Sequence, residues 1–303
     1  MPSTTHQNSP ADLAGPDRLG LACALTAAVA WGLTGIFVRL LDDLSPSLIV
    51  LVRMVIAFLA FSPFVLRDPA GFLAALRTPL GLFMGLYYLL ATEAFTRAPV
   101  AEVTLIVGLS PIAALGLDRL AGTAIPRRSF VGALIAIAGL ALFLAPSARA
   151  GGDARLVGDG LALGAAAVSA AYAFNLRQRT LTGRALKTQS LAAAACAMGV
   201  AVAAGGELLA CLAHPAAGPL FVPDAGNLSL LLALGLVSTA LPTLAFGLAA
   251  ARLPTVVTTS FSLIVPLWAA LFAGLFLEEW PPLLSLPGGI ATLLGVWIVL
   301  RAR

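Results

Sequence analysis

The sequence predicts an all-α integral membrane protein of ten transmembrane helices, arranged as two inverted five-helix repeats. Three observations point there. Apolar residues make up 60% of the 303 positions and charged ones 11%, with a mean hydropathy of +0.98, too few polar groups to clothe a soluble protein of this size. Apolar segments of roughly 17 to 25 residues, enough to cross a hydrocarbon core of about 30 Å, can be laid along almost the whole chain. One helix pattern also occurs twice. Arg97-Ala98-Pro99 with Pro111 recurs as Arg252-Leu253-Pro254 with Pro266 at an offset of 155, and Gly132 with Gly139 recurs as Gly288 with Gly295 at an offset of 156. Internal symmetry in so apolar a chain points to a transporter assembled from membrane repeats.

The elements follow in order. Residues 1–18 include the polar run from Ser3 to Ser9 and lack the apolar core of a cleavable signal peptide, so a disordered cytoplasmic tail is expected. The first repeat, 19–146, holds spans at 19–40, 47–66, 78–96, 100–120 and 129–146. A linker at 147–155 leads to the second repeat, 156–303, with spans at 156–180, 187–211, 229–250, 255–276 and 282–301. Short turn-like links join them, such as Asp42-Asp43-Leu44-Ser45-Pro46 and Glu278-Glu279-Trp280-Pro281-Pro282. With the N-terminus inside, thirteen of the 18 basic residues fall in cytoplasmic positions and four (Arg39, Arg97, Arg149, Arg155) on the opposite side, leaving Arg53 within the second span. Basic residues collect on the cytoplasmic side of bacterial-type inner or plasma membranes, so both termini are expected there. The net charge of +4 is thereby a topology signal, and arginines scattered over loops give no patch for nucleic acid.

Five spans per repeat is an odd number, which turns the second repeat upside down relative to the first. Counted from Pro99 and Pro254, Pro111 and Pro266 then lie roughly 18 Å in from opposite faces and meet near mid-depth. A proline inside a helix deprives the carbonyl four residues earlier of its donor, here Val107 and Ser262. Unpaired backbone at that depth is tolerated only against protein or a water-filled cavity. A single such proline reads as a packing kink; the symmetric pair reads as the wall of a substrate path.

These features resemble the drug/metabolite transporter superfamily, in its ten-span branch with two repeats of the EamA type. The likeness spans residues 19–301 and rests on Ala30-Trp31-Gly32, Arg53-Met54-Val55, Thr96-Arg97-Ala98-Pro99, Leu109-Ser110-Pro111-Ile112 and Gly132 through Gly139. In the second half it rests on Gly158-Asp159-Gly160, Arg252-Leu253-Pro254, Val265-Pro266-Leu267, Glu278-Glu279 and Gly288 through Gly295. Within that family the chain is most similar to amino-acid and metabolite exporters, including the YddG type. One departure is Ala170 in the second half where the first has Trp31.

The resemblance implies a small-molecule substrate in a central cavity lined by the first, third, fourth, sixth, eighth and ninth spans. Mapped onto this chain it gives Trp31, Thr34, Tyr87, Tyr88, Ser110, Pro111, Ser169, Tyr172, Asn175, Ser238, Thr239, Thr259, Ser262, Pro266 and Trp268. Rings and neutral hydrogen-bonding groups suit a small zwitterion or an uncharged metabolite, and Asn175 needs a partner inside the protein because an amide in lipid is costly. Against this stand the interfacial belt for aromatic residues, where Trp280 belongs, and back-bonding of Ser and Thr to their own helices.

Arg53, Glu93, Arg97 and Glu102 occupy the outer thirds of spans two to four with charges that sum to zero, and are expected to form an ion-pair cluster or gate. There is no GxxxxGK[ST], HExxH or GxSxG, and His6 and His214 lie outside the spans, which argues against an ATP-driven pump or an enzyme and leaves no cofactor or metal to expect. Cys23, Cys196 and Cys211 read as small core residues. The four repeated glycines should let spans five and ten pack closely, and those spans are also a candidate homodimer face.

Overall fold

The computed structural model describes residues 17–122, 124–148, 152–213, 225–250, 252–253 and 261–301. Every regular element among them is helical. Eight helical segments are long and apolar enough to cross a membrane: Arg18–Arg39, Pro46–Arg67, Val100–Leu120, Arg127–Pro146, Asp153–Thr180, Thr188–Leu209, Gly226–Ala250 and Leu283–Arg301. The other two expected spans correspond to Pro79–Arg97, bent by 70° from Pro69–Leu76, and to the shorter apolar Ser262–Leu277. The protein is thus a multi-pass helical membrane protein with eight such helices, or nine if the bent pair counts as one, among the described residues.

Helix starts follow directly from the sequence. Asp17 caps α1 (Arg18–Gly32) by accepting from the Leu19 and Gly20 amides at 3.0 and 3.2 Å. Three later starts repeat one device, a short polar cap followed by proline: Ser45-Pro46 for α3 (Pro46–Arg67), Asp68-Pro69 for α4 (Pro69–Leu76) and Thr78-Pro79 for α5 (Pro79–Arg97). The cap oxygen satisfies an orphan amide while proline, with φ already set, occupies the position that needs no donor.

Several spans are interrupted inside the bundle. After α1 the first span breaks at Leu33 before α2 (Thr34–Arg39). The fourth breaks at Gly108 and Leu109 between α6 (Val100–Val107) and α7 (Ser110–Leu120), whose second residue is Pro111. The ninth passes through a 3-10 turn, Ser262–Ile264, before α13 (Val265–Leu277), whose second residue is Pro266. The cap residues Leu109 and Ile264 are again 155 apart. The Ser262 carbonyl is not left bare as the proline rule predicts, because the tightened turn brings the Val265 amide to it.

The strongest association is between α8 (Arg127–Ala148) and α14 (Leu286–Arg301). A Cβ on Gly139 would lie 2.5 Å from the Thr292 nitrogen, and one on Gly295 2.3 Å from the Ala136 nitrogen. Gly132, Gly139, Gly288 and Gly295 therefore face one another within a single chain, and a second copy would have to meet the outward residues of these helices. Elsewhere α9 (Asp153–Leu181) packs on α5 and α7, and α10 (Thr188–Ala213) on α3 and α5. The eighth span runs as α11 (Ala225–Gly235), a π-turn (Leu236–Ala240) and α12 (Leu241–Ala250), and lies between α1 and α3.

Candidate substrate site

The π-turn organises the interior. Gly235, just before it, lets the backbone approach α3 so closely that a Cβ there would sit 2.7 Å from Ile56 and 3.1 Å from the Arg53 carbonyl. Ser238 then donates to the Ala30 carbonyl of α1 at 2.9 Å, and Thr239 donates to the Leu234 carbonyl, five residues back, at 2.9 Å. With its proton committed, the Thr239 oxygen accepts from Arg53 Nε and Nη2 at 3.2 and 2.8 Å. The Arg53 guanidinium also lies over the Tyr88 ring, 4.8 Å from its centroid, and Tyr87 packs edge-on against Tyr88 at 5.3 Å. Two side chains that sequence reasoning kept apart, Arg53 as a gate residue and Thr239 as a cavity residue, meet here with Tyr88, the middle residue of α5. Trp31, one residue past the Ser238 contact, tilts against Phe246 at 5.3 Å.

The remaining candidates spread outward. Thr34 opens α2 beyond the break, while Ser110 and Pro111 open α7, which packs on the α9 helix that bears Ser169, Tyr172 and Asn175. Tyr172 packs against the apolar group of Ala75, Leu80, Leu191 and Ala194. Asn175 meets its need for a partner locally, its amide donating to the Ala171 carbonyl at 2.9 Å. Pro266 is buried, Ser262 is exposed, and Trp268 stacks on Phe272 at 5.6 Å where Gly32 lets α1 cross α13. Thr259 lies outside the described residues.

The expected four-charge cluster divides. Glu93 and Arg97 pair within α5 (Nε to Oε1 2.9 Å), but Glu102 pairs with Arg155 of α9 (Nε to Oε2 2.9 Å), and Arg53 joins neither. Equal numbers of opposite charges on neighbouring spans suggest mutual pairing; which ones meet depends on helix rotation and on a partner from the second half. At the same end of the bundle Arg39 pairs with Glu279, whose other oxygen accepts from the Val100 amide at 3.3 Å. Glu102, Arg155, Glu279 and Trp280 line a cavity of about 280 Å³ there. Asp159, one turn along α9 from Arg155, has a buried carboxylate oxygen without a hydrogen-bond partner among the described residues.

At the opposite end, Asp17 pairs with Arg252 (3.1 Å), Asp68 with Lys187 (2.8 Å) and Asp118 with Arg177 (3.1 Å). Bonds from the Gly20 amide and then Arg252 hold the Asp17 carboxyl below its ordinary range, and Lys187, then the Gly71 amide, does the same for Asp68.

Sequence reasoning missed Phe246, Arg155 and Asp159 as site residues, while Cys196 sits as expected in the apolar core, with Val50, Met54 and Ala193. Asp159 had a signal, an acid between two glycines at the start of a span; Phe246 had none.

Comparison with known proteins finds a likeness in the first half. Residues 18–145 match the EamA-like transporter family. No curated protein matches the chain at a significant level. A solved crystal structure is similar over 94% of this chain and 96% of its own, at a TM-score of 0.59 and 18% identity, a likeness of fold. Residues 18–145 of this multi-pass membrane protein are thus similar to the EamA-like transporter family.

Proposed function

We infer that the chain is a transporter that exports small metabolites, amino acids first, aromatic and other neutral ones, by alternating access around a mid-membrane site. The observation that carries this reading is the convergence of interrupted spans. The first, fourth, eighth and ninth all depart from regular α-helix in their interiors, in a chain whose first half matches a transporter family. Broken helices at mid-depth supply backbone groups and hinges to a bound solute. The basic residues favour an inner or plasma membrane location with both termini cytoplasmic.

The test is counterflow of labelled amino acids into liposomes holding the purified protein, with and without a pH gradient. Uptake without a gradient is the expected result and marks a facilitative carrier. Uptake only with a gradient would bring Glu102 and its neighbours into the mechanism. Absence of any amino-acid uptake by folded protein would move the substrate to drugs, nucleobases or sugar derivatives on the same scaffold.

A further inference from the structure

Among the described residues, Arg53 is a fully buried charged side chain without an opposite charge beside it, whereas buried Glu102 and Asp118 each have an arginine. The Arg53 side chain is 1% exposed, and a guanidinium keeps its proton in proteins, so the charge is fixed. Arg39, Arg97, Arg155, Arg177, Lys187 and Arg252 each have a carboxylate partner, whereas Arg53 has none among the described residues. What holds it is neutral: one hydroxyl, taking two of its five N–H donors, and the face of one tyrosine. A buried cation lacking a counter-charge is costly, and inside membranes such residues mark solute pathways. Its position fits that role. The Cα lies about 10 Å from the start of α3, but the side chain reaches Tyr88 at the middle of α5 and the π-turn of the eighth span. π-turns are frequent at functional sites. Resetting this one would move Thr239 and uncover the guanidinium.

We propose that Arg53, positioned by Thr239 and Tyr88, is the anchor for the carboxylate of the transported molecule. The proposal rests on the transporter reading and narrows its substrates to small carboxylates, amino acids among them. The planar fork offers two parallel N–H bonds to the two carboxylate oxygens, while the Tyr87 and Tyr88 rings receive the apolar part. The substrate's negative charge then supplies the counter-ion the protein omits.

The experiment compares binding to detergent-purified protein, and counterflow in liposomes, for phenylalanine, phenylpropionate and phenethylamine, with leucine, 4-methylpentanoate and isoamylamine as a second set. Phenylalanine, leucine and the two simple carboxylates should bind at least tenfold more tightly than the two amines. Arg53→Gln should lose that preference, weakening the four carboxylates at least tenfold and leaving the amines unchanged. Arg53→Lys, which keeps charge and loses the fork, should fall between. If Arg53→Gln does not fold, Arg53→Lys and the wild-type carboxylate-to-amine ratio still decide. Amines bound as tightly as carboxylates, no binding of any of the six, or an Arg53→Gln protein with unchanged preference would each overturn the proposal. Arg53-dependent carboxylate binding without counterflow would uphold the site and overturn the transporter reading, whereas counterflow of amines alone would do the reverse.

Discussion

Single residues set how closely the helices meet. The α8–α14 contact leaves no room for side chains at its glycines, and helices in lipid are held by such close packing because the solvent is as apolar as they are. Gly295→Leu should cost about 3 kcal/mol or more, since its Cβ would sit 2.3 Å from the Ala136 nitrogen and 2.5 Å from the Gly132 carbonyl. Gly116→Ala in α7 is the contrasting case, with nothing within 4 Å of a Cβ there, and should gain up to about 1 kcal/mol from helix propensity. Thermal unfolding in detergent measures both, and equal melting temperatures for the two variants would contradict the packing account. Glu278 poses the reverse problem. It ends α13 with φ at 58°, the left-handed conformation that glycine adopts freely, and the turn it makes brings Glu279 to Arg39. Glu278→Gly should therefore raise stability by about 1 kcal/mol, with a lower melting temperature as the result that excludes strain at this turn.

Elements were legible where their signals are local. Span positions follow from hydropathy; the polar-cap and proline starts at Ser45-Pro46, Asp68-Pro69 and Thr78-Pro79, which act within four residues of themselves, were readable signals that sequence reasoning did not use, and α4, placed in no span, was missed. Pro111 and Pro266 locate two breaks. The break at Leu33 has no proline to mark it, whereas the π-turn at Leu236–Ala240 does: Pro242 is the second residue of α12, as Pro111 and Pro266 are of α7 and α13, and Ser238 and Thr239 are in addition bonded to Ala30 and Arg53. The site was legible as a set of candidate types but not as an arrangement. Nothing in the spacing of Glu102 reveals Arg155 as its partner, and Asn175 satisfies its amide on its own helix. Links between elements can be probed through Asp68, which caps α4 and pairs with Lys187 just before α10. Its carboxyl is held below 3.8, so the bond to Lys187 contributes fully above that value and is lost as pH falls through the lowered one. Lys187→Met should melt slightly below wild type at pH 7, and the gap should shrink progressively as the pH is taken below 3.8. A gap that persists in acid would assign the effect to the lysine's hydrocarbon stem instead.

For the whole molecule, the ion pairs form two layers that join different spans at the two ends of the bundle. Arg39–Glu279 and Arg155–Glu102 lie at one end, Asp17–Arg252, Asp68–Lys187 and Asp118–Arg177 at the other. In the alternating carrier proposed above one layer would be released while the other holds, and each pair should then act as a latch whose removal biases the ensemble toward opening at its own end. The Asp17 end carries its own reporter. Cys23 is half-buried against Ala24, Ala249 and Leu253, and a Cβ on neighbouring Gly20 would lie 2.9 Å from Leu253, so the thiol is partly covered where the first span rests on the turn after the eighth. Asp17→Asn removes the charge that binds Arg252 yet retains an oxygen able to cap α1, which separates latch from helix start. In a Cys196→Ala, Cys211→Ala background, Asp17→Asn should speed maleimide labelling of Cys23 several-fold, and high salt should do the same to the parent by screening a partly exposed pair. Arg39→Gln, which frees the far end, should slow it. If Cys23 reacts at one rate in all three proteins, the ion-pair layers are fixed struts, and the motion must be sought in the interrupted spans alone.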